Sequence, residues 1–132
     1  MSHEHGSVLV VEDDREINQL VGAYAEICGF DYRPALDGQT AIEEARRDPP
    51  DAVILDLMLP DVDGFEVCLQ LRKNPATHDT PIIILSALSG EKEKQRGREC
   101  GADEYLTKPF DPDQLIRTLK AHANHHDPQV KA

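Results

Sequence analysis

The 132-residue chain predicts an α/β fold of three layers, a five-stranded parallel sheet between helices in a (βα)5 order. Two observations carry that prediction. Short apolar runs alternate with amphipathic stretches along the whole chain. The two richest runs, "AVIL" at 52–55 and "PIIIL" at 81–85, are apolar throughout, as central parallel strands covered on both faces should be. The pattern fits one domain over 8–126, with 1–7 expected as a disordered N-terminal segment and 127–132 as a C-terminal tail.

The elements follow in order. "VLVV" (8–11) is the first strand, and 15–28 has the apolar spacing of a helix that stops at Gly29. "DYRPA" (31–35) is a weaker strand, followed by a helix over 38–47 that ends before Pro49-Pro50. "AVILD" (52–56) is the third strand. The helix over 64–73 opens on Asp63-x-x-Glu66, which has the form of a capping box, and ends before Pro75. "PIIILS" (81–86) leads to a helix over 90–100, closed by Gly101. "EYLT" (104–107) is the last strand. The last helix, 112–125, starts with Asp111-x-x-Gln114 and has Pro112 at the favoured first position.

Composition narrows the function. A net charge of -11 argues against a nucleic-acid surface, which needs clustered Lys and Arg. The longest apolar run, Ile82 to Leu85, is far short of the ~20 residues of a membrane span, and "MSHEHGS" lacks the parts of a signal peptide. Cys28, Cys68 and Cys100 form no CxxC pair and suit reduced thiols in a cytoplasmic protein. His122 and His126 have i, i+4 spacing with His125 beside them, but no Cys or Glu lies near them in sequence. A solvated helix end is the expectation there, not a metal site.

In a parallel sheet, ligands bind at the carboxyl ends of the strands, so the residues just after each strand carry the information. They are Glu12, Asp13 and Asp14 after the first, Asp56 at the end of the third, Ser86 at the end of the fourth, and Lys108-Pro109 after the fifth. Taken singly each has a plain structural reading: Asp13 or Asp14 as a helix cap, Asp56 as a turn residue, Ser86 at a helix entry, Lys108 as a surface charge. Together they converge. Adjacent first and third strands bring at least three carboxylates into one shallow pocket, which requires a hard divalent cation such as Mg²⁺. A lysine and a hydroxyl beside such acids are parts suited to receiving a phosphoryl group and neutralising its oxygens.

"VLVVEDD", "VILDLMLPDVDGFE", "PIIILSA" and "GADEYLTKPF", in that order across about 8–124, resemble the signature segments of the receiver domain of two-component response regulators. The resemblance implies a flavodoxin-like fold with strand order 2-1-3-4-5. It implies that Asp56 accepts phosphate from a histidine kinase or histidine phosphotransfer protein. Asp13, Asp14 and Asp56, with the Met58 backbone carbonyl, would bind Mg²⁺ or Mn²⁺, and Glu12 would support them. Lys108 would pair with phosphoryl oxygens, and Ser86 would swing in to hydrogen-bond them. The rotamer of Tyr105 would report that movement on the face of the fourth helix, fifth strand and fifth helix. Pro109 would follow a cis peptide. Met58 and Leu88 would flank the approach of the hydrolytic water. The output would pass to a downstream effector or a fused output domain.

Three other readings fit less well. A haloacid-dehalogenase-type phosphatase needs an acid two residues after the nucleophile, where this chain has Met58. A flavin carrier would not place "EDD" against a phosphate. A degenerate receiver serving only as a binding module would have lost an acid, the acceptor or the lysine, and none is lost.

Overall fold

The computed structural model describes residues 6–123 and bears out the alternation. The elements are β1 (Ser7–Val11), α1 (Arg15–Ile27), β2 (Asp31–Ala35), α2 (Gly38–Arg47), β3 (Ala52–Leu55), α3 (Gly64–Lys73), β4 (Ile82–Ser86), α4 (Glu91–Glu99), β5 (Glu104–Thr107) and α5 (Pro112–Ala123). The strands form one parallel sheet in the order β2-β1-β3-β4-β5. β1, β3 and β4 are buried along their whole length, which is why they carry Val, Ile and Leu without alternation. β2 sits at the edge, half exposed, where Pro34 removes no ladder bond a central strand would need.

The sheet separates two apolar layers. One contains Leu9, Val11, Leu55, Phe65, Leu71 and Ile84; the other contains Val8, Val10, Val21, Ile54, Leu115 and Leu119. Gly6 and Ser7, expected in a disordered segment, belong to the fold. Ser7 opens β1, and the Gly6 carbonyl accepts from the Asp31 N–H at 2.9 Å. The boundary at 126 and the tail 127–132 lie outside the described residues, as do His125 and His126. His122 is not merely solvated: its Nε2 lies 3.0 Å from a Glu104 carboxylate oxygen across the α5–β5 surface.

Two arginines fasten the helices on one side of the sheet. Arg72, near the end of α3, donates to the carbonyls of Gly101, Thr80 and His78 and pairs with Asp103 at 3.0 Å, which fixes α3 to the segments that lead into β4 and β5. Asp103 in turn accepts the Ile82 N–H at 2.8 Å. α4 is the most polar helix, and within its span only Gly97 is buried. It rests flush on the sheet there, since a Cβ at Gly97 would come within 3.1 Å of both Ile84 and Tyr105. Arg96 lashes the same helix to α3, lying 4.1 Å over the Phe65 ring and 3.4 Å from an Asp63 oxygen.

Candidate functional site

Every residue singled out at the strand ends lies at the carboxyl edge of the sheet. β1 and β3 are neighbours, so the loops after them face each other. Carboxylate oxygens of Glu12, Asp13 and Asp56 come within 4.8 Å of one another, with Glu12 and Asp56 buried and Asp13 exposed. The β3–α3 loop carrying Asp56 is pressed tightly against the start of α3. A Cβ at Gly64 would meet the Leu57 Cα at 2.5 Å and the Asp56 carbonyl at 2.7 Å, so only glycine fits. The Asp56 carboxylate also accepts the Met58 N–H at 3.2 Å.

Asp14 does not join this group. Its side chain is the N-cap of α1, accepting the N–H groups of Glu16 at 3.0 Å and Ile17 at 3.2 Å. The acid beside Asp13 in the cluster is Glu12, expected only in support. The reason is local. Glu12 still follows the β1 ladder, its N–H bonded to the Ala35 carbonyl at 3.1 Å, whereas Asp14 is where the chain turns into helix and its free amides need an acceptor. The Asp14 N–H itself donates to the Glu12 carboxylate at 3.0 Å.

Lys108 comes in from the end of β5, just ahead of a cis Lys108–Pro109 peptide. Its ammonium donates to the Glu12 carboxylate and, at 3.1 Å, to the Asp56 carboxylate. One lysine thus bridges two of the three acids. Burial lifts the Glu12 pKa, and the Asp56 charge adds to that, while hydrogen bonds from Lys108 and the Asp14 N–H hold the rise back. Burial by itself would lower the Lys108 pKa; the hydrogen bond to Glu12 and the charge of Asp56 outweigh it and hold the ammonium above its usual value. The Lys108 shift expresses an excess of negative charge around its ammonium, whereas the Glu12 shift is chiefly one of burial. An all-oxygen, carboxylate-rich donor set of this kind suits a hard divalent cation.

Ser86 and Tyr105 grip the same loop residue. The buried Ser86 hydroxyl accepts the Leu88 N–H at 3.3 Å, and the Tyr105 hydroxyl donates to the Leu88 carbonyl. The Leu88 side chain is partly buried against the apolar layer that includes Phe65, whereas Met58 is 57 % exposed above its loop. The sequence reading missed two features: Asn18, buried beneath the β1–α1 loop with its amide against the Glu12 carbonyl, and Asp61, whose carboxylate accepts the N–H groups of Gly38 and Gln39 at the start of α2. Those backbone bonds hold the Asp61 pKa below the usual carboxylate range.

A family model described as "Response regulator receiver domain" matches residues 8–120. Among curated proteins, the DNA-binding dual master transcriptional regulator RpaA of Synechocystis is 42 % identical over 114 residues, covering 86 % of this chain and 47 % of that protein. The alkaline phosphatase synthesis transcriptional regulatory protein PhoP of Bacillus subtilis gives the same identity and coverage, 42 %, 86 % and 47 %. The chain therefore spans about half the length of the curated relatives it matches. The net-charge argument against nucleic-acid contact finds no support from them, since they are named as DNA-binding or transcriptional regulators. Among solved structures, a Francisella response regulator receiver domain is 37 % identical with a TM-score of 0.83, covering 91 % of this chain and 98 % of that one. The receiver domain of a Pseudomonas aeruginosa sensor histidine kinase, described with a magnesium ion coordinated in its active site cleft, is 28 % identical with a TM-score of 0.83 and covers 90 % and 98 %.

Proposed function

Because this chain belongs to the response regulator receiver family, we propose that it serves as the phosphoacceptor of a two-component relay, taking a phosphoryl group onto Asp56 from a histidine kinase or histidine phosphotransfer protein. The observation that carries the proposal is the Lys108 ammonium held between Asp56 and Glu12, with Asp13 completing the acid group. In the transfer, an Asp56 oxygen attacks phosphorus, the donor's P–N bond breaks as the P–O bond forms, and the released imidazole nitrogen takes up a proton from solvent.

Glu12, Asp13 and Asp56, with the Met58 carbonyl, would hold Mg²⁺ or Mn²⁺; this set replaces the one with Asp14, whose carboxylate is committed to capping α1. The bound ion supplies positive charge against the phosphoryl oxygens. Lys108, already charged and aimed at Asp56, neutralises a further share. Ser86 turns to donate its hydroxyl to the phosphoryl group, and that rotation carries its oxygen away from the Leu88 N–H. Tyr105, bonded to the other side of Leu88, then loses its partner's position, and the change passes to the α4–β5–α5 face. Met58 and Leu88 shield the phosphoryl group from water. The domain works in the cytoplasm, its output passing to a separate effector or to an output domain in a longer protein.

Incubation with acetyl phosphate and Mg²⁺ followed by mass spectrometry tests the reading. One phosphoryl group is expected on the parent and none on Asp56→Asn; undiminished labelling of that variant overturns it.

A further inference from the structure

Beneath the acid loop lies a buried polar unit that the phosphotransfer reading leaves unused. Asn18, on α1, is 1 % exposed. Its amide nitrogen donates to the carbonyls of Val10 at 3.0 Å, Glu12 at 2.9 Å and Ala35 at 3.2 Å. The Glu12 backbone is thereby held on both sides, its N–H by the Ala35 carbonyl and its C=O by Asn18. That C=O belongs to the peptide joining Glu12 to Asp13. Its plane carries the Cα atoms of both acids, so holding it limits the directions in which the two side chains leave the backbone.

Asn18 is itself oriented. The Tyr32 hydroxyl, on β2, donates to the Asn18 side-chain oxygen, and this leaves the amide nitrogen facing the three carbonyls. The amide is fully satisfied, with no buried side-chain polar atom unpartnered among the described residues. Tyr32 is positioned by a third residue, Gly22, one helical turn after Asn18 on the same face of α1. A Cβ at Gly22 would meet the Tyr32 ring at 2.5 Å, so the helix lies flush against it.

We infer that Asn18, held by Tyr32 across Gly22, is a positioning residue for the divalent-cation site: it sets the Glu12–Asp13 peptide and so the convergence of these two carboxylates on Asp56. The inference rests on the phosphoacceptor reading above for the identity of the cation ligands. It concerns a residue with no contact to the cation, and outer partners that orient ligands typically govern metal affinity by about 10-fold or more.

Mg²⁺ titration by calorimetry, without any phosphoryl donor and well below the melting temperature, separates positioning from general support of the fold. Tyr32→Phe keeps the ring and removes only the hydroxyl; its Mg²⁺ Kd is expected to rise several-fold, and that of Asn18→Ala by about 10-fold. Gly22→Ala displaces the Tyr32 ring, so its Mg²⁺ affinity should fall by more than that of a variant equally destabilised elsewhere. Arg72→Ala, which loosens the opposite end of the sheet, is the destabilised control and should bind Mg²⁺ like the parent. If Tyr32→Phe and Gly22→Ala bind Mg²⁺ as the parent does, or if Arg72→Ala weakens binding as much as they do, the positioning role is refuted. A parent whose Mg²⁺ affinity is unaffected by Asp13→Asn would instead refute the assignment of the cation site, and the inference with it.

Discussion

Replacing Lys108 by Ala puts the electrostatics of the site to a direct test. The lysine is hydrogen-bonded to both Glu12 and Asp56, and these two carboxylates are only 4 % and 6 % exposed. With it gone, two buried anions face each other within 4.8 Å and Asp13 stands at their edge. At that separation, the repulsion between unit charges is roughly 3 kcal/mol for an effective dielectric of about 20. Removing one partner from a buried charged set typically costs about 3–5 kcal/mol, against a total stability of about 5–15 kcal/mol for a domain. The variant should therefore melt ~10 °C or more below the parent at neutral pH. The raised pKa of Lys108 means its stabilising contribution is fully present below 10.5, and hence at neutrality. Glu12 gives the deficit a pH dependence. Its folded pKa is already raised above 4.5 by burial, and the variant removes a hydrogen bond that restrains the rise. A carboxyl that binds its proton more tightly when folded adds stability as pH falls through its folded value. The difference between parent and variant, measured by urea denaturation, should thus shrink as the pH is lowered from neutrality. Mg²⁺ should restore more stability to the variant than to the parent. A variant as stable as the parent, or a deficit of constant size as the pH falls, would refute the account of Lys108 as the counter-charge of this pocket.

Asp14→Ala should cost about 1 kcal/mol as the loss of an α1 N-cap, read as a lower urea midpoint, and leave Mg²⁺ affinity unchanged; a large loss of affinity would return Asp14 to the cation site. Arg72→Ala takes the guanidinium donor from the carbonyls of Gly101, Thr80 and His78 and the ion-pair partner from Asp103, and should lower stability by about 2–4 kcal/mol in urea denaturation while phosphorylation at Asp56 proceeds. Met58→Asn with Leu88→Glu should shorten the lifetime of the phosphorylated protein roughly tenfold, followed by the decay of the phosphorylated mass, because a polar group can then orient the attacking water. Unchanged decay would show that water access does not limit hydrolysis.

Most of the fold was legible because burial on both faces leaves a plain mark. Strands such as Ile82–Ser86 must be apolar throughout, and their glycine, proline and aspartate boundaries limited each element to within a residue or two of its place. β2 was the weakest reading for the converse reason: an edge strand half open to solvent tolerates Asp31, Arg33 and Pro34. α4 was read from apolar spacing, yet it docks through Gly97, whose contribution is the absence of a side chain. The site divides in the same way. That acids, a hydroxyl and a lysine would meet at the strand ends follows from strand order alone. Which two of Glu12, Asp13 and Asp14 gather beside Asp56 does not. A strand buried on both faces has no polar alternation to set the phase, so the assignment depends on where the β1 ladder ends and the first free helix amides begin. Asp13 and Asp14 both had the chemistry of a helix cap, and nothing local decided between them. Asn18 and Gly22 bore a faint signal in their i, i+4 spacing on α1, but their partner Tyr32 lies on β2, and only the packing of α1 on that strand joins them. The acid phase is therefore a tertiary property, set by Ala35 and Asn18 on either side of Glu12. In this chain the acids that gather beside Asp56 are the two that stand where those contacts end the ladder.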